Sequence, residues 1–330
     1  MLKDDFHAAC RVNQLSEKTE ESYFGYVKQF IKFNNIRQPE EMNAAKVENF
    51  IKYLAVDRKL SLATQELAFN SLVFLFKKVL KKKMKIRKDY RVKRPVLIPD
   101  VLTKNEVRTI IDLLSGRPKL ITEILYGCGM RKSEVLSLRI LNIDLGNGVI
   151  NIKQSKGKKD RIAVIPKKLI EKLSDQIRRV KNLYEIDIKK NFNGCFLPDS
   201  LENKNPEAAK EFKWQYLFPA KDLVKDHRKR WHLHPSTYDK ILKSVVNEAG
   251  INKRIHAHTF RHSFATHLIE DGYDIALVQQ LLGHSDIRTT MVYNHTSQKR
   301  IRGYESPYDT LKEEKNGQSN LIYVDFKRAQ

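Results

Sequence analysis

At 330 residues, with 41% hydrophobic and 31% charged side chains, the chain is long enough for about two folded domains and too apolar for wholesale disorder. Lysine and arginine number 62 against 39 acids, a formal charge of +23. An excess of that size repels itself in a compact state and points to a polyanionic partner, nucleic acid ahead of an anionic membrane.

The chain starts MLKDDFHAACRVNQ, with acids where a signal peptide needs cations, and no apolar run much exceeds SLVFLF, so neither export nor a membrane span is expected. Residues 1 to about 93 read as a four-helix domain facing DNA. KTEESYFGYVKQFIKFNNI puts Tyr23, Val27, Phe30 and Ile31 on one helical stripe, and TQELAFNSLVFLFKKVL does the same with Leu67, Ser71, Phe74 and Leu75. Residues 77 to 94 then hold eleven basic side chains against one acid, Asp89, and Pro95 and Pro99 follow. We read 94–101 as a linker, and the charge run as a strap along phosphates in preference to a solvated helix end.

Residues 102–312 form the second domain. Thr103-Lys-Asn-Glu106 is a capping box that opens a helix. A second helix runs to Tyr126, breaks at Gly127-Cys-Gly129, and a third starts near Arg131. In INIDLGNGVINIKQSKGKKDRIAVIP the period changes, and Gly-Asn-Gly and Lys-Gly-Lys-Lys separate three short antiparallel strands. Helix resumes at 167, with an irregular insertion at about 186–233. The expected fold is therefore mainly α with a small antiparallel sheet, in two domains. Cys10, Cys128 and Cys195 are scattered and form no CxxC, which fits a reduced compartment and argues against a disulfide framework or a thiolate zinc site.

The stretch HAHTFRHSFATHL (256–268) carries four histidines. As a metal site it lacks an HExxH pattern and any cysteine or aspartate. Taken alone it reads more readily as a core helix with satisfied imidazoles, His262 and Phe264 to Leu268 facing inward. The rest of the chain changes the balance. His258 and Arg261 share a helical face; Arg131 sits at a helix start with Glu134 one turn on to brace it; Lys156 caps a hairpin. LLGHSDIRTTMVYNH ends a helix at Gly283, exposes His284, restarts at Ser285 and carries Tyr293. Arginines can hold the nonbridging oxygens of a phosphodiester in place of a divalent cation. Lysine can protonate a leaving oxygen, histidine can trade protons, and a tyrosine among cations can attack phosphorus.

In this order and wording the residues resemble the tyrosine recombinase (phage-integrase-like) family: Arg in G-x-R-x-S-E, Lys in a β-hairpin, H-x-x-R, G-H, and Tyr nine residues on. The resemblance implies Arg131, Lys156, His258, Arg261, His284 and Tyr293 as the catalytic set. It implies a 3′-phosphotyrosyl intermediate at Tyr293, no metal or nucleotide cofactor, and a two-domain clamp round DNA. It also implies a homotetramer on DNA and a bacterial cytoplasmic location at the nucleoid. The family's C-terminal segment docks on a neighbouring subunit. LIYVDF in the tail (313–330) suits that role, or equally a strand closing on its own domain.

Within the insertion, Trp214, Tyr216, Phe218, Trp231 and His232 alternate with basic residues, as stacking of unpaired bases requires. The plainer reading is a surface insertion packed on the fold. WQYLFP followed by HLHPS is similar to integron integrases, as are TQELAFNSLVFLFKKVL and ESPYDTL. Those recombine a folded single-stranded attC hairpin with a duplex attI site to move gene cassettes. By that resemblance Trp214 and His232, with Trp231 beside them, meet an extrahelical base, although typical members have His-His where this chain has Trp231-His232. The alternative is the same chemistry on ordinary duplex sites, as in phage integrases or Xer-like resolvases.

Overall fold

Four helices build the N-terminal unit: α1 (Leu2–Val12), α2 (Glu17–Phe33), α3 (Ala44–Val56) and α4 (Leu62–Phe74). The computed structural model describes residues 2–82, 100–153, 160–190, 192–284 and 286–291. The strap from residue 83 on, the Lys156 hairpin tip, Ser285, Tyr293 and the LIYVDF tail lie outside the described residues. The chain divides into two compact units, Met1–Leu97 and Ile98–Gln330.

In the first unit, Ser16, Asn43 and Ser61 cap α2, α3 and α4, each side chain accepting the backbone N–H three residues on. Such a cap satisfies a donor the helix cannot and is worth about 1 kcal/mol. Phe6, Val27, Phe30, Phe50, Leu54 and Leu72 close the core. Val27 and Phe30 are buried as the α2 stripe requires, with Tyr23 and Ile31 packed at its margin. On α4 the expected stripe holds at Ser71, Phe74 and Leu75, which are buried or packed on the core, and fails at Leu67. Leu67 stays 37% exposed, and the buried face is Gln65, Ala68, Ser71 and Leu72. This helix is apolar on more than one side, so periodicity alone does not choose; the small Ala68 and Ser71 suit close packing, and α4 lies against both α2 and α3. At Leu75–Val79 the helix widens into one π turn.

The second unit opens as its capping box predicts, Thr103 and Glu106 bonding each other's backbone at the start of α5 (Lys104–Leu113). Then come α6 (Gly116–Gly127) and the short α7 (Lys132–Leu136). Gly129 between them has φ +59°, and a Cβ there would lie 2.4 Å from the Phe264 ring, so glycine is needed twice over. Strands β1 (Ile143–Asp144), β2 (Val149–Ile152) and β3 (Arg161–Val164) form an antiparallel sheet in sequential order, with Ile150 facing Ala163 and Ile152 facing Arg161.

Helix α8 (Lys167–Ile188) runs slightly past the expected start of the insertion. Its last turn carries Asp187, which accepts from Arg230 Nε and Nη2 at 2.5 Å each and pins the far end of the insertion. The insertion contains the short α9 (Asp199–Glu202); α10 (Pro235–Glu248), α11 (Ala257–Glu270), α12 (Ile275–Leu282) and α13 (Arg288–Met291) follow. Phe260 of α11 joins Ile121, Leu125, Leu136, Ile150 and Leu173 in the main core. That burial sets α11, with His258 and Arg261, firmly beside α6. No helix among the described residues is long and apolar enough to cross a membrane.

Candidate active site and adjoining aromatic pocket

Arg131 occupies the N-cap of α7, where the chain is still extended (φ −76°, ψ 148°). Its backbone N–H donates to Glu134 Oε2 at 2.8 Å, and its Nη1 donates to Glu134 Oε1 at 2.7 Å. The brace anticipated from spacing is therefore a two-point grip on backbone and guanidinium together. Burial works against the Glu134 charge, but Arg161, the Arg131 N–H and the Arg131 guanidinium outweigh it and hold the carboxyl below its usual range.

Arg261 lies almost wholly buried on α11. It donates to the Gly129 carbonyl at 2.5 Å and the Leu282 carbonyl at 2.6 Å, tying the α6–α7 break to the end of α12. Gly283 caps α12 in the left-handed region (φ 63°) and turns the chain back over this arginine. His284 is consequently half-buried, contrary to the exposed position expected for it. Its Nε2 lies 3.1 Å from Arg261 Nη2 and its Nδ1 2.9 Å from the Thr290 hydroxyl. Thr290 is fully buried three residues before Tyr293.

Burial, then the charges of Arg261, Arg131 and Arg161, pushes His284 down to about 4. His258 is lowered by burial and next by Arg261, with Arg131 and Lys132 contributing. These shared influences place Arg131, His258, Arg261 and His284 in one cationic neighbourhood with neutral imidazoles at pH 7. His262 is half-buried beside them and also falls to about 4, through burial first and His258 next. The rings of His256, His258 and His262 are 6.4 and 6.1 Å apart in turn, and among the described residues no His, Cys, Asp and Glu side chains converge to hold a metal ion. Lys156 and Tyr293 are outside the described residues. Thr290 was not singled out by the sequence; a threonine six residues past a histidine carries no signal of its own.

A second feature adjoins this one. A cavity of about 670 Å³ lies between the insertion and the β2–β3 hairpin, with Trp214, Tyr216, Trp231 and His232 on one side and Asn151, Ile152 and Lys153 on the other. Glu134 and Arg139 also line it. The structure thus brings together Trp214, Trp231 and His232, the three residues picked out in the insertion. Ring centroids are 5.2 Å apart for Trp231 and His232 and 5.4 Å for Tyr216 and His232. Trp231 is 40% exposed, an unusual state for so large an apolar side chain.

Arg139 organises this wall. Its guanidinium donates to the Trp214 and Phe196 carbonyls at 2.7 and 2.8 Å, and its carbon sits 4.3 Å from the Tyr216 ring centre. Nothing in the local sequence marks Arg139, because its partners are more than 50 residues away. Burial first, and Arg139 as a lesser cause, lowers His232, so it too is neutral at pH 7.

A mainly helical unit with a three-stranded sheet gathers two arginines and two neutral histidines at the ends of α7, α11 and α12, groups of the kind that can stabilise a phosphodiester under attack. The phage integrase family profile matches residues 100–300, and the N-terminal SAM-like domain of phage integrases matches residues 2–86. The chain belongs to the phage integrase family and is a tyrosine recombinase, cutting and rejoining DNA at specific sites. It is 37% identical over 313 residues to an "Integrase/recombinase" of Escherichia coli, covering 93% of each chain. To a "Tyrosine recombinase" of Pseudothermotoga lettingae it is 32% identical, covering 86% of this chain and 89% of that one. In fold it is similar to the Tn1549 transposon integrase in complex with transposon right end DNA, with a TM-score of 0.61 at 14% identity over 91% of this chain and 98% of that one.

Proposed function

We propose that the chain is an integron-type recombinase that joins a folded single-stranded attC hairpin to a duplex attI site, and excises cassettes by the same chemistry. Arg131 and Arg261 hold the nonbridging oxygens, His258 and His284 exchange or share protons with the phosphate, and Lys156 protonates the leaving oxygen. Tyr293 attacks phosphorus, the P–O5′ bond breaks, and a 3′-phosphotyrosyl ester keeps the energy for resealing. These groups need no divalent cation to neutralise the transition state. The first unit, the basic strap and the second unit grip DNA. The active assembly is a homotetramer on DNA, in the bacterial cytoplasm at the nucleoid, with the C-terminal tail a docking element between subunits.

The observation that carries the integron reading is the aromatic pocket. Its open, ring-walled volume of about 670 Å³ accommodates a flipped base, with Trp214, Trp231 and His232 offering faces for stacking. Duplex DNA presents no free base face to such a wall. Asn151 and Ile152 at the end of β2, with Lys153 after them, line the opposite side, and Lys156 follows three residues further along the chain.

The test is adduct formation on a folded bottom-strand attC oligonucleotide and, in parallel, on a duplex of the same sequence. A metal-independent covalent adduct on the hairpin, lost in Tyr293→Phe, is expected. An adduct that survives Tyr293→Phe removes the nucleophile assignment. Equal cleavage of the duplex, unaffected by Trp214→Ala, makes the enzyme a duplex-specific recombinase instead.

A further inference from the structure

We infer that Arg161 is a positioning residue that fixes Arg131 and the Gly283–His284 turn in one geometry; the inference rests on the catalytic role proposed above for Arg131. Arg161 is the first residue of β3, on the strand that leaves the Lys156 hairpin. Its Nη2 donates to Glu134 Oε2 at 2.6 Å, the oxygen that also accepts the Arg131 backbone N–H. Its Nη1 donates to the Leu281 carbonyl at 2.8 Å, at the end of α12. Its stem runs under the next turn so closely that a Cβ on Gly283 would lie 2.3 Å from Arg161 Cδ. One side chain thus joins β3, α7 and the C-terminus of α12.

Exposure separates the two arginines that share Glu134. The Arg131 side chain keeps 28% of its surface open, whereas Arg161 keeps 6%. Arg131 is therefore the one that reaches a phosphate, and Arg161 is the anchor behind it. Charge gives the anchor a second task. Arg131 and Glu134 alone would sum to zero and blunt the field at the phosphate. A second guanidinium on the same carboxylate restores one net positive charge, and Arg161 is among the charges that depress His284.

Stability alone is a poor account of the residue. Its Nε is buried with no hydrogen-bond partner among the described residues, an arrangement that destabilises the fold. Buried ion pairs commonly add little over an apolar replacement. What an apolar side chain cannot do is hold a carboxylate and a carbonyl on two other elements at fixed angles while staying charged. Displacing a catalytic group by about 1 Å costs on the order of 100-fold in rate.

The test uses full-length protein, a synthetic attC hairpin and its duplex, and three readouts: melting temperature, Kd for DNA, and adduct rate at saturating DNA. Arg161→Lys and, separately, Glu134→Gln are expected to leave Kd within about twofold and slow adduct formation roughly 10–100-fold. In a cycle with Arg131→Lys, the second substitution is expected to cost far less than it does alone, since both act through one guanidinium. Additive losses, an unchanged rate in both Arg161→Lys and Glu134→Gln, or rate and binding that fall in proportion with the melting temperature overturn the inference. Full activity of Arg131→Lys by itself overturns the catalytic assignment instead, so the two failures are distinguishable.

Discussion

The phosphate site and the aromatic pocket share Glu134 as a common wall, yet they use arginine in opposite ways. In the first, Arg131 is gripped by a carboxylate so that the rest of its fork stays available to a ligand. In the second, Arg139 spends its fork on the Trp214 and Phe196 carbonyls and presents its flat face to Tyr216. One arrangement aims charge outward at a group that every nucleotide has. The other keeps charge inward to hold the rings of the pocket wall. On the proposed reading, chemistry indifferent to sequence and recognition of unpaired bases are built side by side.

The sharpest way to break this contrast is to remove the outward-facing charge. Arg131→Ala is expected to lower the adduct rate on either DNA form by roughly 10²–10³-fold, the usual loss for one preorganised donor at a developing charge. Affinity for DNA should change little, since a basic chain of this size has many other phosphate contacts. Equal loss of binding and rate would mean that Arg131 belongs to the general electrostatic surface and not to the reacting group.

The complementary change removes rings. Trp214→Ala is expected to weaken hairpin binding by about 1–3 kcal/mol, or roughly 5- to 150-fold, as for one stacked base. Affinity for the fully paired duplex should be unaltered. A uniform loss on both forms would show that the insertion packs on the fold without reading bases.

How far the sequence reveals these sites follows from how local each one is. The capping box at Thr103, the glycine break before Arg131, the hairpin strands and the Gly283 stop are all encoded within a few residues, and each stands where the local pattern places it. The grip of Glu134 on Arg131 was legible for the same reason. Arg161 and Arg139 were not: their partners lie in α7, α12 and the insertion, and no spacing rule connects them. The α4 stripe erred at Leu67 for a different cause. A helix apolar on several sides gives no unique periodic face, and close packing turned the small Ala68 inward in place of Leu67. His284 was misjudged because a left-handed glycine ends a helix but does not reveal what the returning chain covers.

A smaller effect sharpens the role of the inward arginine. Arg139→Lys removes the fork while keeping the charge, leaving the Trp214 carbonyl to the Cys195 thiol and the Phe196 carbonyl to the Tyr216 hydroxyl; losing the charge-assisted bonds costs about 1–3 kcal/mol. A melting temperature lower by about 2–10 °C is expected for a unit of this size. Hairpin affinity should fall with it while the adduct rate at saturating DNA holds. A fall in that rate with intact hairpin affinity would place Arg139 in the reacting centre.

The smallest expected effect concerns protons. His284 and His262 titrate near 4 in the folded chain, against 6.5 for an ordinary histidine. Between those values the unfolded chain binds protons that the folded one refuses, so stability rises with pH across the window and is lost as pH falls from about 6.5 towards 4. Both imidazoles are only half-buried, so solvent screening reduces the effect. A bound phosphate acts in the opposite direction, because an anion beside an imidazole favours its charged form. DNA binding should therefore take up protons near pH 6, and saturating DNA should flatten the acid loss of melting temperature. If saturating DNA flattens the acid loss of His284→Asn as fully as that of the unsubstituted protein, His284 does not face the phosphate, leaving Arg131 and Arg261 to bear that contact with His258.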